Sequence, residues 1–295
     1  PYFLGDPQRP HPDDQFPEGF ERGEGHPQED WVPMLIVVPE ASDVAQQPFD
    51  VAIYAHGYGS TAVEALGFAG AMARQGVATV AVDAVGHGIG IDPILVSALS
   101  ALFAEECLAP FSTAMTRGRA HDLDGDGVAD PGGDVWTSHI FRSADVLRQS
   151  AIDLMQAVRI VGEFGRVQRG DGGAAEQALA LAGGGELLVS RDQDGREGEE
   201  VAGDFDGDGV ADLGGAEAST SLVGQSFGAL VSGILAGVEP SITNVATVSG
   251  AGGMSDLGLR SVISAVKNAV ILRAIGPLVM ASPSSGENES TACEE

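Results

Sequence analysis

The residue with the clearest chemical potential is the serine at position 226. It lies in the sequence Gly-Gln-Ser-Phe-Gly at residues 224–228, between a strand-like apolar run at 221–223 and a run of small residues at 229–237 with helical composition. In a sharp strand-to-helix turn the serine takes a strained backbone conformation, and glycines two positions to either side allow close packing. The pattern therefore predicts a serine hydroxyl raised into a cleft, where it can act as a nucleophile.

Two further motifs each follow a predicted buried strand. The sequence His-Gly-Tyr at residues 56–58 follows the apolar run at 51–55, and Asp-Ala-Val-Gly-His-Gly at residues 83–88 begins where the apolar run at 77–83 ends. The stretch at 61–75 between the two runs is rich in alanine and has helical composition. Two strands joined through a helix of this length imply a right-handed crossover and a parallel sheet.

The remaining segments continue this alternation of strands and helices. We predict further strands at 34–39 and 242–248, helices at 91–108, 143–161 and 257–279, and an irregular Gly- and Asp-rich region at 164–218. The alternation predicts an α/β fold with a doubly wound, mostly parallel sheet. Residues 1–32 are predicted to form an extended N-terminal arm, and residues 33–295 one main domain with Asp-rich insertions near 119–135 and 164–218.

A duplicated aspartate motif is the second strong signal. Residues 122–133 recur as residues 204–215, with ten of twelve positions identical. Carboxylates at alternate positions converge on one hard cation, the glycine between them permits a sharp bend, and a following carbonyl adds a ligand. The candidate ligands are Asp122, Asp124, Asp126, the Val128 carbonyl and Asp130 in the first copy, and Asp204, Asp206, Asp208, the Val210 carbonyl and Asp212 in the second.

The pattern departs from an EF-hand loop because its twelfth position is Gly133 or Gly215 instead of glutamate. It is closer to the short calcium loops of extracellular repeat modules. We expect two structural calcium ions that hold the two Asp-rich excursions beside the sheet. Solvated Asp-Gly turns are the alternative interpretation.

Together, the motifs at 56–58, 83–88 and 224–228 resemble the oxyanion loop, a post-strand loop and the nucleophile turn of the α/β-hydrolase superfamily. The resemblance is to its large bacterial lipases and esterases, which also carry Asp-rich calcium loops, and it covers about residues 51–250. It implies that Ser226 is the acylated nucleophile and that the backbone N–H groups of Tyr58 and Phe227 form the oxyanion hole. The implied substrate is an ester or lipid.

The general base that this resemblance requires does not follow the serine. In the superfamily the order is serine, acid, histidine, whereas all six histidines here, at positions 11, 26, 56, 87, 121 and 139, precede Ser226. His56 and His87 are expected to hold their loops by hydrogen bonds, and Asp256 is not assigned as the acid. We expect the chain to be the N-terminal part of a longer hydrolase, completed by further polypeptide. A homologue that naturally lacks the base is the rival explanation.

Composition limits the possible partners and the compartment. The chain has 43 acidic and 15 basic residues and a formal charge of −28, so nucleic acid is not expected as a partner. No apolar run reaches the roughly 18 residues of a membrane span. Cys107 and Cys293 are either free thiols or one long-range disulfide, and the disulfide, which we favour, would imply an oxidising compartment.

The sequence thus predicts an exported, calcium-stabilised carboxylic ester hydrolase, a lipase or esterase, located outside the cell, in the periplasm or at the cell surface. Its apolar segments at 91–108 and 257–280 can cap the cleft, although core packing explains them equally well. Two alternatives remain. One is a hydrolase-like binding or surface domain without activity, and the other is a calcium-dependent interaction module.

Overall fold

The computed structural model describes residues 1–253, apart from 12, 44, 106–107, 138, 170–176, 181–185 and 190–198, together with residues 260 and 262. The strands are β1 (Met34–Val37), β2 (Asp50–Ala55), β3 (Val77–Val82), β4 (Val167–Arg169), β5 (Gln177–Ala180), β6 (Glu186–Val189), β7 (Glu199–Val201), β8 (Thr220–Gln225) and β9 (Ile242–Val248). The α-helices are α1 (Leu66–Ala73), α2 (Pro93–Glu105), α3 (Ala109–Thr116), α4 (Ile140–Gly162) and α5 (Phe227–Val238), and short 3₁₀ helices lie at Phe20–Arg22 and Ala62–Ala65.

A five-stranded sheet forms the centre of the fold. Its strand order is β1-β3-β2-β8-β9. The β3-β2, β2-β8 and β8-β9 pairs are parallel, and only β1 runs antiparallel to its neighbour β3. The α/β class and the mostly parallel sheet predicted from the sequence are therefore confirmed. Since β2, β3 and β8 are parallel neighbours, the loops that follow them leave the sheet at the same edge.

Side chains that alternate along β2 build core on both faces of this sheet. Val51, Ile53 and Ala55 belong to the main core with residues of α4 and α5. Tyr54 faces the other way and packs with Phe68 and the alanines of the 3₁₀ helix Ala62–Ala65. The period of two typical of a strand thus places helices against both faces.

The N-terminal segment is joined to α4 by buried contacts. Leu4 is completely buried, and the Phe3 backbone N–H donates to Oε1 of Gln149 at 2.8 Å. The Phe16 N–H donates to a carboxylate oxygen of Asp145, also at 2.8 Å. Residues 1–32 therefore contribute side chains to the same core as the sheet, instead of only lying over it.

Several element predictions need correction. The region at 164–218, predicted to be irregular, contains the antiparallel pairs β4-β7 and β5-β6, because short strands can pair locally despite a Gly-rich composition. Helix α2 lies within the segment predicted to be helical at 91–108, and a second helix that was not predicted, α3, follows it. The predicted helix at 257–279 and both cysteines lie outside the described residues, except for the isolated residues 260 and 262. Within the described part, no helix has the length and apolarity to cross a bilayer.

Candidate active site

The turn around Ser226 has the strand-turn-helix conformation that the sequence predicts. β8 ends at Gln225, α5 begins at Phe227, and Ser226 between them has φ 52° and ψ −109°. Ser249, with φ 54° at the end of the neighbouring strand β9, is the only other non-glycine residue of the described part with a positive φ. Such a conformation costs about 1–3 kcal/mol and is concentrated at functional sites. The two strained serines lie at one sheet edge, where the Ser226 N–H donates to the Val248 carbonyl at 2.8 Å.

The glycines on either side of Ser226 are required by close packing. A Cβ at Gly224 would overlap Oγ of Ser232 in α5, and a Cβ at Gly228 would overlap the Ala55 carbonyl oxygen at the end of β2. α5 therefore starts so close to β8 and β2 that no side chain fits at either position. This close approach fixes the direction in which the turn presents Ser226.

The loop after β2 lies directly against this turn. The Gly228 N–H donates to the His56 carbonyl at 3.0 Å, and a Cβ on Gly57 would be 3.6 Å from Cβ of Ser226. The amides of Ser226 and Gly228 are both engaged, whereas the Phe227 amide between them donates to no acceptor in the described part of the chain. The structure thus brings the 56–59 loop, the Phe227 amide and Ser226 together.

His56 is fully engaged by the backbone. Its Nδ1 donates to the Gly57 carbonyl at 2.8 Å, and its Nε2 accepts from the Ala84 N–H at 3.0 Å. This assignment makes the ring neutral, and burial holds its pKa below the usual value for histidine. His56 therefore links the loops after β2 and β3, as the sequence predicts, and has no nitrogen left to accept a proton from Ser226.

His87 is a buried residue of the loop after β3 and lies close to the loop after β2. Its ring centroid lies 5.1 Å from that of His56, 5.8 Å from that of Tyr58 and 5.2 Å from that of Phe227. The Nδ1 donates to the Val85 carbonyl at 2.8 Å, and the ring is completely excluded from solvent. Burial lowers the pKa of His87 to about 3, with a smaller contribution from His56. A ring with so low a pKa is rarely protonated, so His87 fills space beside the site and is unsuited to general base catalysis.

The end of the first Asp-rich segment packs against Tyr58. The Tyr58 hydroxyl donates to the Gly132 carbonyl at 3.1 Å, and its ring leaves no room for a side chain at Gly132. Gly132 has φ 78° and donates its N–H to the Gly86 carbonyl at 2.7 Å. The segment at 119–135 is thereby attached to both loops beside Ser226.

Both Asp-rich loops adopt the same local conformation. In the first, the carboxylate oxygens of Asp122, Asp124 and Asp126 lie within 4.8 Å of one another. Asp122 accepts from the Gly125 and Gly127 N–H groups at 2.7 and 2.8 Å, and these bonds, that from Gly127 first, lower its pKa. In the second loop Asp204, Asp206 and Asp208 form the corresponding group, with the same contacts from Gly207 and Gly209.

The aspartates at the ninth loop position accept hydrogen bonds from their own loops, and their assignment as cation ligands stays a prediction. Asp130 accepts from the Leu123 N–H at 3.0 Å, and Asp212 accepts from the Phe205 N–H at 2.6 Å. These carboxylates close their loops and do not belong to the three-carboxylate groups. Asp212 is also buried, and its carbonyl accepts from the Phe49 N–H at 2.8 Å just before β2.

A hydrogen-bonded group beside Ser226 was missed from the sequence. The Glu64 carboxylate accepts from Oγ of Ser60 at 2.7 Å and from the Tyr54 hydroxyl at 3.1 Å. The same hydroxyl lies 3.0 Å from the side-chain oxygen of Gln225. The only signal for this group in the sequence is Tyr54, whose hydroxyl lies in an otherwise apolar strand. The hydroxyl alone does not identify its hydrogen-bond partners.

Searches with the whole chain found no matching protein-family model and no matching curated protein. The assignment of a function therefore depends on the geometry of the site.

Proposed function

We propose that the protein is a serine hydrolase that cleaves carboxylic esters, as a lipase or esterase does, through an acyl-enzyme on Ser226. The observation that carries the proposal is the strained backbone of Ser226 between β8 and α5, with the loop after β2 packed against it. The order of the sheet strands supports an α/β-hydrolase-like fold, because it places the three motif-bearing loops at one edge.

In this mechanism Oγ of Ser226 attacks the ester carbonyl carbon and its proton passes to a base. The negative charge that develops on the carbonyl oxygen is stabilised by backbone donors. The Phe227 amide is oriented by the first turn of α5 and has no competing acceptor in the described chain. We assign the Tyr58 amide, in the adjacent loop, as the second donor. Loss of the alcohol leaves an ester on Ser226, which water then hydrolyses.

The base is assigned to polypeptide outside the described residues. His56 uses both ring nitrogens in hydrogen bonds and His87 is completely buried. Oγ of Ser226 forms no hydrogen bond with any histidine or carboxylate that the structure describes. This observation also favours a second candidate, a hydrolase-like binding or surface domain that lacks the base.

We further propose that each Asp-rich loop holds one calcium ion. Three carboxylates within 4.8 Å repel one another at neutral pH, and an oxygen-only donor set matches the preference of calcium. Asp122, Asp124 and Asp126 would hold one ion and Asp204, Asp206 and Asp208 the other. A bound cation supplies the positive charge that keeps each loop folded. Calcium loops of this kind fit an exported protein, which is the location we propose.

A fluorophosphonate probe tests the hydrolase proposal in the full-length polypeptide. The serine oxygen displaces fluoride from phosphorus, so labelling reports an activated Ser226. We expect labelling that Ser226→Ala abolishes and that Ser219→Ala, a change in the turn before β8, leaves intact. A folded full-length protein that shows no Ser226-dependent labelling would support the binding domain instead.

A further inference from the structure

Glu64 and Tyr54 link the two chain segments that meet at the proposed oxyanion hole. The Glu64 carboxylate binds Ser60, two residues after Tyr58, and the Tyr54 hydroxyl. Tyr54 also contacts the side chain of Gln225, the residue before Ser226. A hydroxyl has a single proton, so Tyr54 donates at any one time either to the Glu64 carboxylate or to the side-chain oxygen of Gln225.

Tyr54 is held by buried packing, and Glu64, which is exposed, is held by the position of its 3₁₀ helix. The Tyr54 side chain is 2% exposed, and its ring meets that of Phe68 edge-on at 4.8 Å. Glu64 lies in the 3₁₀ helix Ala62–Ala65, where the Ala62 N–H donates to the carboxylate of Asp83 at 2.6 Å. Both residues are thus held by β2, β3 and the helix between them, and not by the loops that they contact.

We propose that Glu64 and Tyr54 are positioning residues, which set the separation between the 56–60 loop and the Ser226 turn. Through this separation they set the distance between the Tyr58 and Phe227 amides. The inference rests on the proposed hydrolase function, because the spacing of the two amides affects a rate only where both bind one oxyanion. A solely structural role would require the hydrogen bonds for folding but not for reaction at Ser226.

The test compares Tyr54→Phe with Tyr2→Phe in the full-length polypeptide. Each substitution removes one hydroxyl from a buried ring, and Tyr2 lies in the N-terminal segment with the Arg119 guanidinium over its ring. We expect Tyr54→Phe to lower the second-order rate constant of fluorophosphonate labelling about tenfold, the effect of one hydrogen bond. Tyr2→Phe should leave that constant within twofold of the original protein.

A second pair of variants separates positioning from folding. Glu64→Ala should lower the labelling constant about tenfold, and Glu64→Gln, which keeps an acceptor oxygen for Tyr54 and Ser60, should restore most of it. In hydrogen exchange, peptides that cover residues 56–60 should exchange faster in Glu64→Ala than in Glu64→Gln.

The outcomes distinguish the two proposals. If the original protein shows no Ser226-dependent labelling, the hydrolase function and this inference both fail. If it labels, but folded Tyr54→Phe and Glu64→Ala label at the original rate, only the positioning role is wrong. The same conclusion follows if the loss of labelling merely tracks a loss of folded protein measured by thermal melting.

Discussion

The substitution Gly228→Ala tests the packing on which the site depends, independently of any activity. Gly228 lies in the first turn of α5, and a Cβ there would overlap the Ala55 carbonyl oxygen and come within 2.6 Å of the His56 carbonyl oxygen. Both obstacles are backbone atoms, so relief requires α5 to move away from β2. Overpacking of this kind costs about 1–3 kcal/mol, and more where the backbone must shift.

Helix propensity acts in the opposite direction. Alanine is favoured over glycine inside a helix by about 1 kcal/mol. We therefore expect a net destabilisation of up to about 2 kcal/mol, or a fall in melting temperature of up to about 4 °C for a domain of this size. Circular dichroism or scanning fluorimetry of the purified variant measures this change.

The chain offers matched controls in the same helix. Gly233 and Gly237 are exposed residues of α5, and a Cβ at either position would have no neighbour within 4 Å. Gly233→Ala and Gly237→Ala should therefore raise the melting temperature slightly, because only the propensity effect remains. If Gly228→Ala melts at the same temperature as these controls or above it, the close approach of α5 to β2 is not present in the protein.

Three further predictions concern strain, cations and pH. Ser226→Gly should raise the free energy of unfolding in urea melts by up to about 1 kcal/mol, because glycine adopts φ 52° without strain. The same variant should lose fluorophosphonate labelling. A variant less stable than the original protein would contradict the strained turn. Excess EDTA should lower the melting temperature of the original protein, because it removes the bound cations. The melting temperature of the double variant Asp122→Asn, Asp204→Asn should not change with EDTA. If the original protein melts at the same temperature with and without EDTA, calcium binding is refuted. His87 has a pKa of about 3 when folded and near 6.5 when unfolded, so its contribution to stability is full above pH 6.5 and falls by up to about 1.4 kcal/mol per pH unit below it. Urea melts of His87→Gln at pH 7 and pH 5 should show a smaller difference than those of the original protein, and an equal difference would place His87 in contact with solvent.

The sequence was sufficient to predict the features that depend on local patterns. The five strands of the central sheet and the turn at Ser226 follow from apolar runs and glycine spacing over fewer than ten residues. The hydrogen bonds that close the Asp-rich loops also lie within twelve residues, yet the contact between Asp130 and the Leu123 N–H was not predicted. A carboxylate has two oxygens, so the contact of one oxygen with the Leu123 N–H leaves the predicted role of Asp130 as a cation ligand open.

Long-range contacts were beyond the sequence. Tyr54 and Gln225 are 171 positions apart, and their contact depends on β2 and β8 being neighbours in the sheet. The attachment of Tyr58 to Gly132 likewise needs the path of the segment at 119–135, which no periodic pattern specifies. The short strands β4–β7 were missed because each has only three or four residues, too few to establish an alternation.

The backbone strain at Ser226 bears on the choice between the hydrolase and the domain without a base. A binding domain gains nothing from a turn that costs about 1–3 kcal/mol, and glycine at position 226 would relieve most of that cost. The same turn also forces glycine at positions 224 and 228, where any side chain would collide with neighbouring atoms. A serine in this conformation, followed directly by the first turn of α5, fits the proposal that its hydroxyl projects from the turn towards a reacting carbonyl. The strain therefore supports the proposed hydrolase, whose base we assign to residues outside the described part of the chain.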